Sequence, residues 1–208
     1  MLGMGKITNE VKKSSYLGDI LEALSNVRTE YMVYCSPGSK IGNKSYYKYT
    51  ERIFAYELYH QYRCIMQRKK KKYAGLYLNG EQQKCSQGWK GLKRITPDIV
   101  LHGMIDKPDY SGFSQKWLCE IKMCTNPEIV SDLAKIKNKA SKLKFQDYFF
   151  IFVGGDDDNL KRECQNKYIK IDDVFNDTIC ICIDIIDSKN NDFNIICKRI
   201  SNIIDRDL

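Results

Sequence analysis

Two apolar, strand-like runs each carry acidic residues: Thr96-Pro97-Asp98-Ile99-Val100-Leu101 and Trp117-Leu118-Cys119-Glu120-Ile121-Lys122. In a strand, residues i and i+2 share a face. Glu120 and Lys122 therefore project together, while Cys119 and Ile121 point the other way. A strand that spends face positions on a carboxylate and an ammonium gives up apolar burial, and such charges are retained as an ion pair or as a site. If the Asp98 and Glu120 strands are neighbours, two carboxylates converge. Their mutual repulsion makes a divalent cation the natural third party. Mg²⁺ takes oxygen ligands, keeps waters and is bound by one or two carboxylates with a substrate phosphate. Lys122 beside it would position or deprotonate a water, or neutralise charge on a phosphoryl group. Acids, metal and lysine together fit phosphodiester hydrolysis.

The short patterns are not unique. Acid-x-Lys recurs at Glu10-Val11-Lys12 and Asp187-Ser188-Lys189, and Pro-Asp recurs at Pro108-Asp109. Those copies lie in polar, turn-like surroundings. Asp98 and Glu120 lie in successive apolar runs.

The elements that must position them follow from periodicity. A helix is expected over residues 51–66, capped by Thr50, with Ile53, Phe54, Leu58, Tyr62 and Ile65 as its apolar stripe. Glu57 falls among these residues and is expected to face the core side, where a carboxylate needs a partner. Strands are expected over residues 73–78, 95–101 and 116–123, with Asn79-Gly80 as a tight turn. A second helix covers residues 126–145, with Ile129, Leu133, Ile136, Ala140 and Leu143 on one stripe. Asp132, on that helix, is expected to bond across the sheet or to pair with Lys135. Further strands cover residues 148–153 and 178–186, and residues 193–204 fit either strand or helix. Upstream, residues 16–27 form a helix carrying Leu17, Ile20, Leu21, Leu24 and Val27, and residues 36–40 form a turn. That turn divides an N-terminal helical extension, residues 1–40, from a main domain, residues 41–208. A helix linking two strands implies a crossover and a mixed sheet flanked by helices.

Pro97-Asp98 followed by Glu120-Ile121-Lys122 resembles the PD-(D/E)XK nuclease superfamily. The resemblance covers residues 48–153, about half the chain, and implies an α/β fold with a restriction endonuclease-like αβββαβ core. It also implies that Asp98 and Glu120 bind the metal with the Ile121 carbonyl, that Lys122 is the catalytic lysine, and that Glu57 is the carboxylate supplied by the first core helix. The expected cofactor is Mg²⁺, with Mn²⁺ as a substitute. His60, one helical turn from Glu57, and His102, on the Asp98 face by parity, are expected at the periphery of the site. Glu81 and Lys84 would either project from a strand end toward the same cleft or stand as turn-exposed charges.

Composition is compatible with this. The 208 residues carry a net charge of +8, which favours a polyanionic partner. Arg68-Lys69-Lys70-Lys71-Lys72 reads either as a solvated loop or as a phosphate-contacting patch. Tyr46, Tyr47 and Tyr49, interleaved with Lys44 and Lys48, either stack on bases or pack beside the helix start. The nine cysteines form no C-x-x-C pair, so reduced thiols are expected rather than a structural zinc site. No apolar run is long enough to span a membrane, and residues 1–13 lack a signal-peptide core, which places the chain in the cytoplasm. The expected function is a metal-dependent endonuclease acting on double-stranded DNA, with a homodimer as one arrangement for cutting both strands. Two alternatives stay open: a catalytically inactive nucleic-acid-binding module on the same fold, and an RNA endonuclease.

Overall fold

The computed structural model describes residues 7–9, 11, 14–41, 44–80, 97–103, 115–124, 129–166 and 175–204. The chain runs β1 (Ile7–Asn9), α1 (Leu17–Ser25), β2 (Val33–Ile41), β3 (Lys44–Tyr49), α2 (Glu51–Arg68), β4 (Leu76–Gly80), β5 (Ile99–Gly103), β6 (Gln115–Met123), α3 (Ile129–Leu143), β7 (Asp147–Val153), α4 (Asp157–Asn166), β8 (Ile179–Asp187) and β9 (Asp192–Arg199). Seven strands form one mixed sheet in the order β1-β9-β8-β7-β6-β5-β4, and β2 and β3 pair separately. β4 with β5 and β5 with β6 pair antiparallel, whereas β6 with β7 and β7 with β8 pair parallel. The α3 crossover between β6 and β7 is what permits that parallel pair.

Strand alternation divides the core in two. Leu17, Ile20 and Leu24 of α1 and Phe54, Leu58 and Ile65 of α2 pack on the face formed by Leu101, Cys119, Ile121 and Ile151. Ile129, Leu133 and Ile136 of α3 and Leu160 of α4 pack on the opposite face, formed by Val100, Leu118, Phe150 and Phe152. Residues upstream of position 41 thus share the main core, and β1 adds a parallel edge strand beside β9.

A buried polar chain pins α1, α2 and β6 together. Trp117 Nε1 donates to Tyr62 Oη at 3.1 Å, the Tyr62 and Tyr73 hydroxyls are 2.8 Å apart, and Tyr73 donates to Asp19 of α1. Lys69 and Lys72 close the Asp19 carboxylate at 2.6 and 2.7 Å. Asp19 is buried. Burial alone would raise its pKa, but the hydrogen bonds from Lys69, Lys72 and Tyr73 outweigh that and hold it below its ordinary value. Part of the basic run is therefore structural.

Several elements differ from expectation. Residues 36–40 lie within β2, where the β2–β3 register shifts between Cys35 and Lys40. Pro37 has no N–H to donate, so it falls where regular pairing is interrupted. Asn79 and Gly80 are the last residues of β4, paired with Val100 and Ile99, and the turn into β4 is at Gly75, whose φ of +72° suits glycine. Thr50 makes no side-chain cap, and its hydroxyl bonds the Tyr31 carbonyl at 3.4 Å instead. Ile53 is 50% exposed and does not join the α2 stripe. Helix α4 had no strong apolar period. Its start is set by a reciprocal pair, Asn159 N–H to Asp156 Oδ1 at 2.7 Å and Asp156 N–H to Asn159 Oδ1 at 3.1 Å.

Candidate active site

β5 and β6 are paired, with Ile99 opposite Cys119. Continuing that antiparallel register by one residue sets Asp98, immediately before β5, beside Glu120. Asp98 Oδ2 accepts the Ile121 N–H at 2.6 Å, which ties the Pro97-Asp98 corner to the middle of the acid-x-Lys segment. Hydrogen bonds from backbone amides of this kind both orient a carboxylate and favour its charged form. The first expectation, that the two acidic runs are neighbouring strands, therefore holds in the sheet.

Glu120 and Lys122 point to the α3 face, 4% and 6% exposed, level with Phe150 and Phe152 of β7. Lys122 Nζ lies 2.8 Å from Asp132 Oδ2, in the first turn of α3, and 3.3 Å from Glu51 Oε2, the first residue of α2. Asp132 also pairs with Lys135, as expected, whereas its ion pair with Lys122 joins α3 to the strand face it packs on rather than crossing the sheet. Burial works to lower the Lys122 pKa, but the hydrogen bond and charge of Asp132, with Glu51, reverse the sign and raise it. Lys122 is accordingly an ammonium throughout the neutral range.

The helix carboxylate next to this lysine is Glu51, not Glu57. Glu57 is half-buried on the flank of α2, where its Oε1 accepts a 2.7 Å hydrogen bond from Gln61 one turn on. The apolar stripe of α2 was read too broadly: the buried face is Phe54, Leu58, Tyr62 and Ile65, and Glu57 flanks it. Glu51 was missed because a first-turn acid has an ordinary explanation in the helix dipole. Its signal was position, at the α2 end nearest the β5–β6 corner. Glu51 and Asp98 line a common pocket of ≈ 100 Å³ with Arg52, Tyr56, Tyr59 and Gly80.

Neither histidine joins this pocket. His60 is exposed on α2, its Nε2 3.8 Å from Cys64 Sγ. His102 is buried four residues along β5 from Asp98, roughly 13 Å at strand rise. There its Nε2 meets Asn79 Nδ2 at 2.6 Å and its Nδ1 meets the Gly103 carbonyl at 2.9 Å. Parity placed His102 on the correct face but said nothing of distance along the strand. Glu81 and Lys84 lie outside the described residues. The repeat at Asp187-Ser188-Lys189 is a turn, closed by Lys189 N–H to Asp187 Oδ1 at 2.9 Å.

Among the described residues no three His, Cys, Asp or Glu side chains cluster as a ready-made metal cage. A cage is not what Mg²⁺ requires: one or two carboxylates with water and substrate oxygens suffice. Asp98 and Glu120 offer two carboxylates on neighbouring chain segments at this corner. Comparison with family models, curated proteins and solved structures finds no match. Among the described residues no helix is long and apolar enough to cross a membrane.

Proposed function

We propose that this chain is a Mg²⁺-dependent phosphodiesterase of the endonuclease type, acting on DNA, with a restriction endonuclease-like core formed by α2, β4–β6, α3 and β7. The observation that carries the reading is the β5–β6 corner, where the strand register, continued by one residue, sets Asp98 opposite Glu120, two positions before Lys122. The connectivity around that corner, helix, three antiparallel strands, crossover helix, parallel strand, supports the αβββαβ core. The net charge of +8 supports a polyanionic substrate.

In this reading Asp98 and Glu120 hold a divalent cation, which supplies Lewis-acid stabilisation of phosphoryl charge and an acidified water. Lys122, kept cationic by Asp132 and Glu51, neutralises charge on the non-bridging oxygens rather than taking a proton. Glu51 fixes the lysine from the helix side.

A second reading is favoured by a specific observation. The Lys122 ammonium is held by two carboxylates, and a lysine so engaged is also what a purely structural ion network looks like. On that reading the chain binds nucleic acid without cutting it. Supercoiled plasmid incubated with the purified chain separates the two. Cleavage with Mg²⁺ or Mn²⁺ that stops in EDTA and in Asp98→Asn supports the phosphodiesterase. Metal-independent binding with no cleavage in any divalent cation rules it out. An RNA strand in the same assay decides the nucleic acid.

A further inference from the structure

The acid pocket adjoins a second, larger one at Tyr59. A groove of ≈ 470 Å³ runs along the seam between α2 and the edge strand β4, and Tyr59 lines both it and the Glu51–Asp98 pocket. Tyr56, Tyr59, Arg63 and Lys70 recur at spacings of three, four and seven, so they follow one side of α2 and its C-terminal extension. Tyr56, on the same side of α2, is 58% exposed. The Tyr59 hydroxyl donates to the Leu78 carbonyl at 3.1 Å, which holds its ring across the seam.

The cations along this groove differ from their neighbours. Arg68, Lys69 and Lys72 are engaged by Asp19 and Glu22 at 2.6 to 2.8 Å. Arg63 and Lys70 are exposed, and among the described residues neither makes an ion pair. Exposed aromatic faces alternating with uncommitted cations along a groove form the surface that binds single strands, through base stacking and phosphate charge. A paired duplex offers its phosphates to such a groove but keeps its base faces stacked.

We propose, on the reading of the Asp98–Glu120 corner as a phosphodiesterase site, that the α2–β4 groove is a track for single-stranded nucleic acid that delivers the strand to that corner. Arg63 and Lys70 contact phosphates, and Tyr56 and Tyr59 stack on bases.

Fluorescence anisotropy in EDTA tests the track apart from catalysis, using a labelled oligo-dT of about 12 nucleotides and a duplex of equal length. The expected result is tighter binding of the single strand. Arg63→Glu/Lys70→Glu should weaken it at least tenfold and flatten the log–log salt slope by about 1.4, two phosphates at about 0.7 each. Tyr56→Ala should weaken it several-fold with the slope unchanged, and Lys71→Glu, off the groove, should change it much less. All these positions are exposed, and unchanged circular dichroism melts confirm folding. Equal affinity for both substrates, wild-type binding by both groove variants, or an equal loss in Lys71→Glu overturns the track. Asp98→Asn should bind as wild type does. Metal-dependent cleavage that is lost in Asp98→Asn, alongside binding indifferent to the groove variants, overturns the track while leaving the phosphodiesterase standing; groove-dependent binding without cleavage does the reverse.

Discussion

Lys122 of β6 and Asp132 of α3 form an ion pair at 2.8 Å whose side chains are 8% and 3% exposed. The pair joins the crossover helix to the strand that carries the candidate lysine, so a change at either residue acts on both fold and site. Desolvating two charges is repaid only when both partners stay in place.

Asp132→Ala should therefore destabilise the chain by about 3 kcal/mol, at the low end for a broken buried pair because Glu51 remains beside the lysine. Lys122→Met/Asp132→Leu should recover most of that loss, since an apolar replacement strands no charge. Urea unfolding of the single and double variants measures both.

The raised Lys122 pKa gives a pH signature. A lysine whose folded pKa lies above its unfolded value, about 10.4, contributes stability that is fully present below that value and is lost as pH rises through the folded pKa. Burial pushes Tyr16, Tyr62 and Tyr73 in the same alkaline direction, so the difference between wild type and Lys122→Met isolates the lysine. That difference should shrink only above about pH 10. Within the neutral range the cleavage rate should show no limb from a lysine base.

Asp19 behaves with the opposite sign. Its depressed pKa contributes stability above the unfolded value, about 3.9, that is lost as pH falls through the folded value. Asp19→Asn should cost about 1.5–3 kcal/mol at pH 7, the range for hydrogen bonds to a charged group. It should also be less acid-sensitive than wild type below about pH 4. Thermal melts across that range test both expectations.

Much of this architecture was legible because buried strands and amphipathic helices announce themselves. Phe149, Phe150, Ile151 and Phe152 fit a strand covered on both faces, and α3 shows a clean helical period. The pairing of the Asp98 and Glu120 runs was legible from their two apolar contexts. What escaped was set by reach in three dimensions. Glu51 contacts Lys122 across 71 positions of sequence, which no periodicity encodes. The basic run looked uniform, yet Lys69 and Lys72 serve Asp19 while Lys70 does not. β1 and the β2–β3 pair are short or interrupted, and neither shows a sustained alternation.

The exchange of Glu57 for Glu51 as the helix carboxylate is directly testable. Glu51→Gln should lower cleavage by about 10- to 100-fold, the usual loss when a group orienting a catalytic residue is removed. Glu57→Gln, which keeps an amide partner for Gln61, should leave the rate near wild type. Rates for both variants on one plasmid substrate decide between them.

The central claim, that Asp98 and Glu120 together hold one divalent cation, is tested most directly by Mn²⁺ titration followed by electron paramagnetic resonance. The account predicts one bound Mn²⁺ per chain, displaced by Mg²⁺, lost in Asp98→Asn and in Glu120→Gln, and kept in Glu57→Gln. Absence of stoichiometric Mn²⁺ binding to the folded chain, or binding that survives both substitutions, would contradict it.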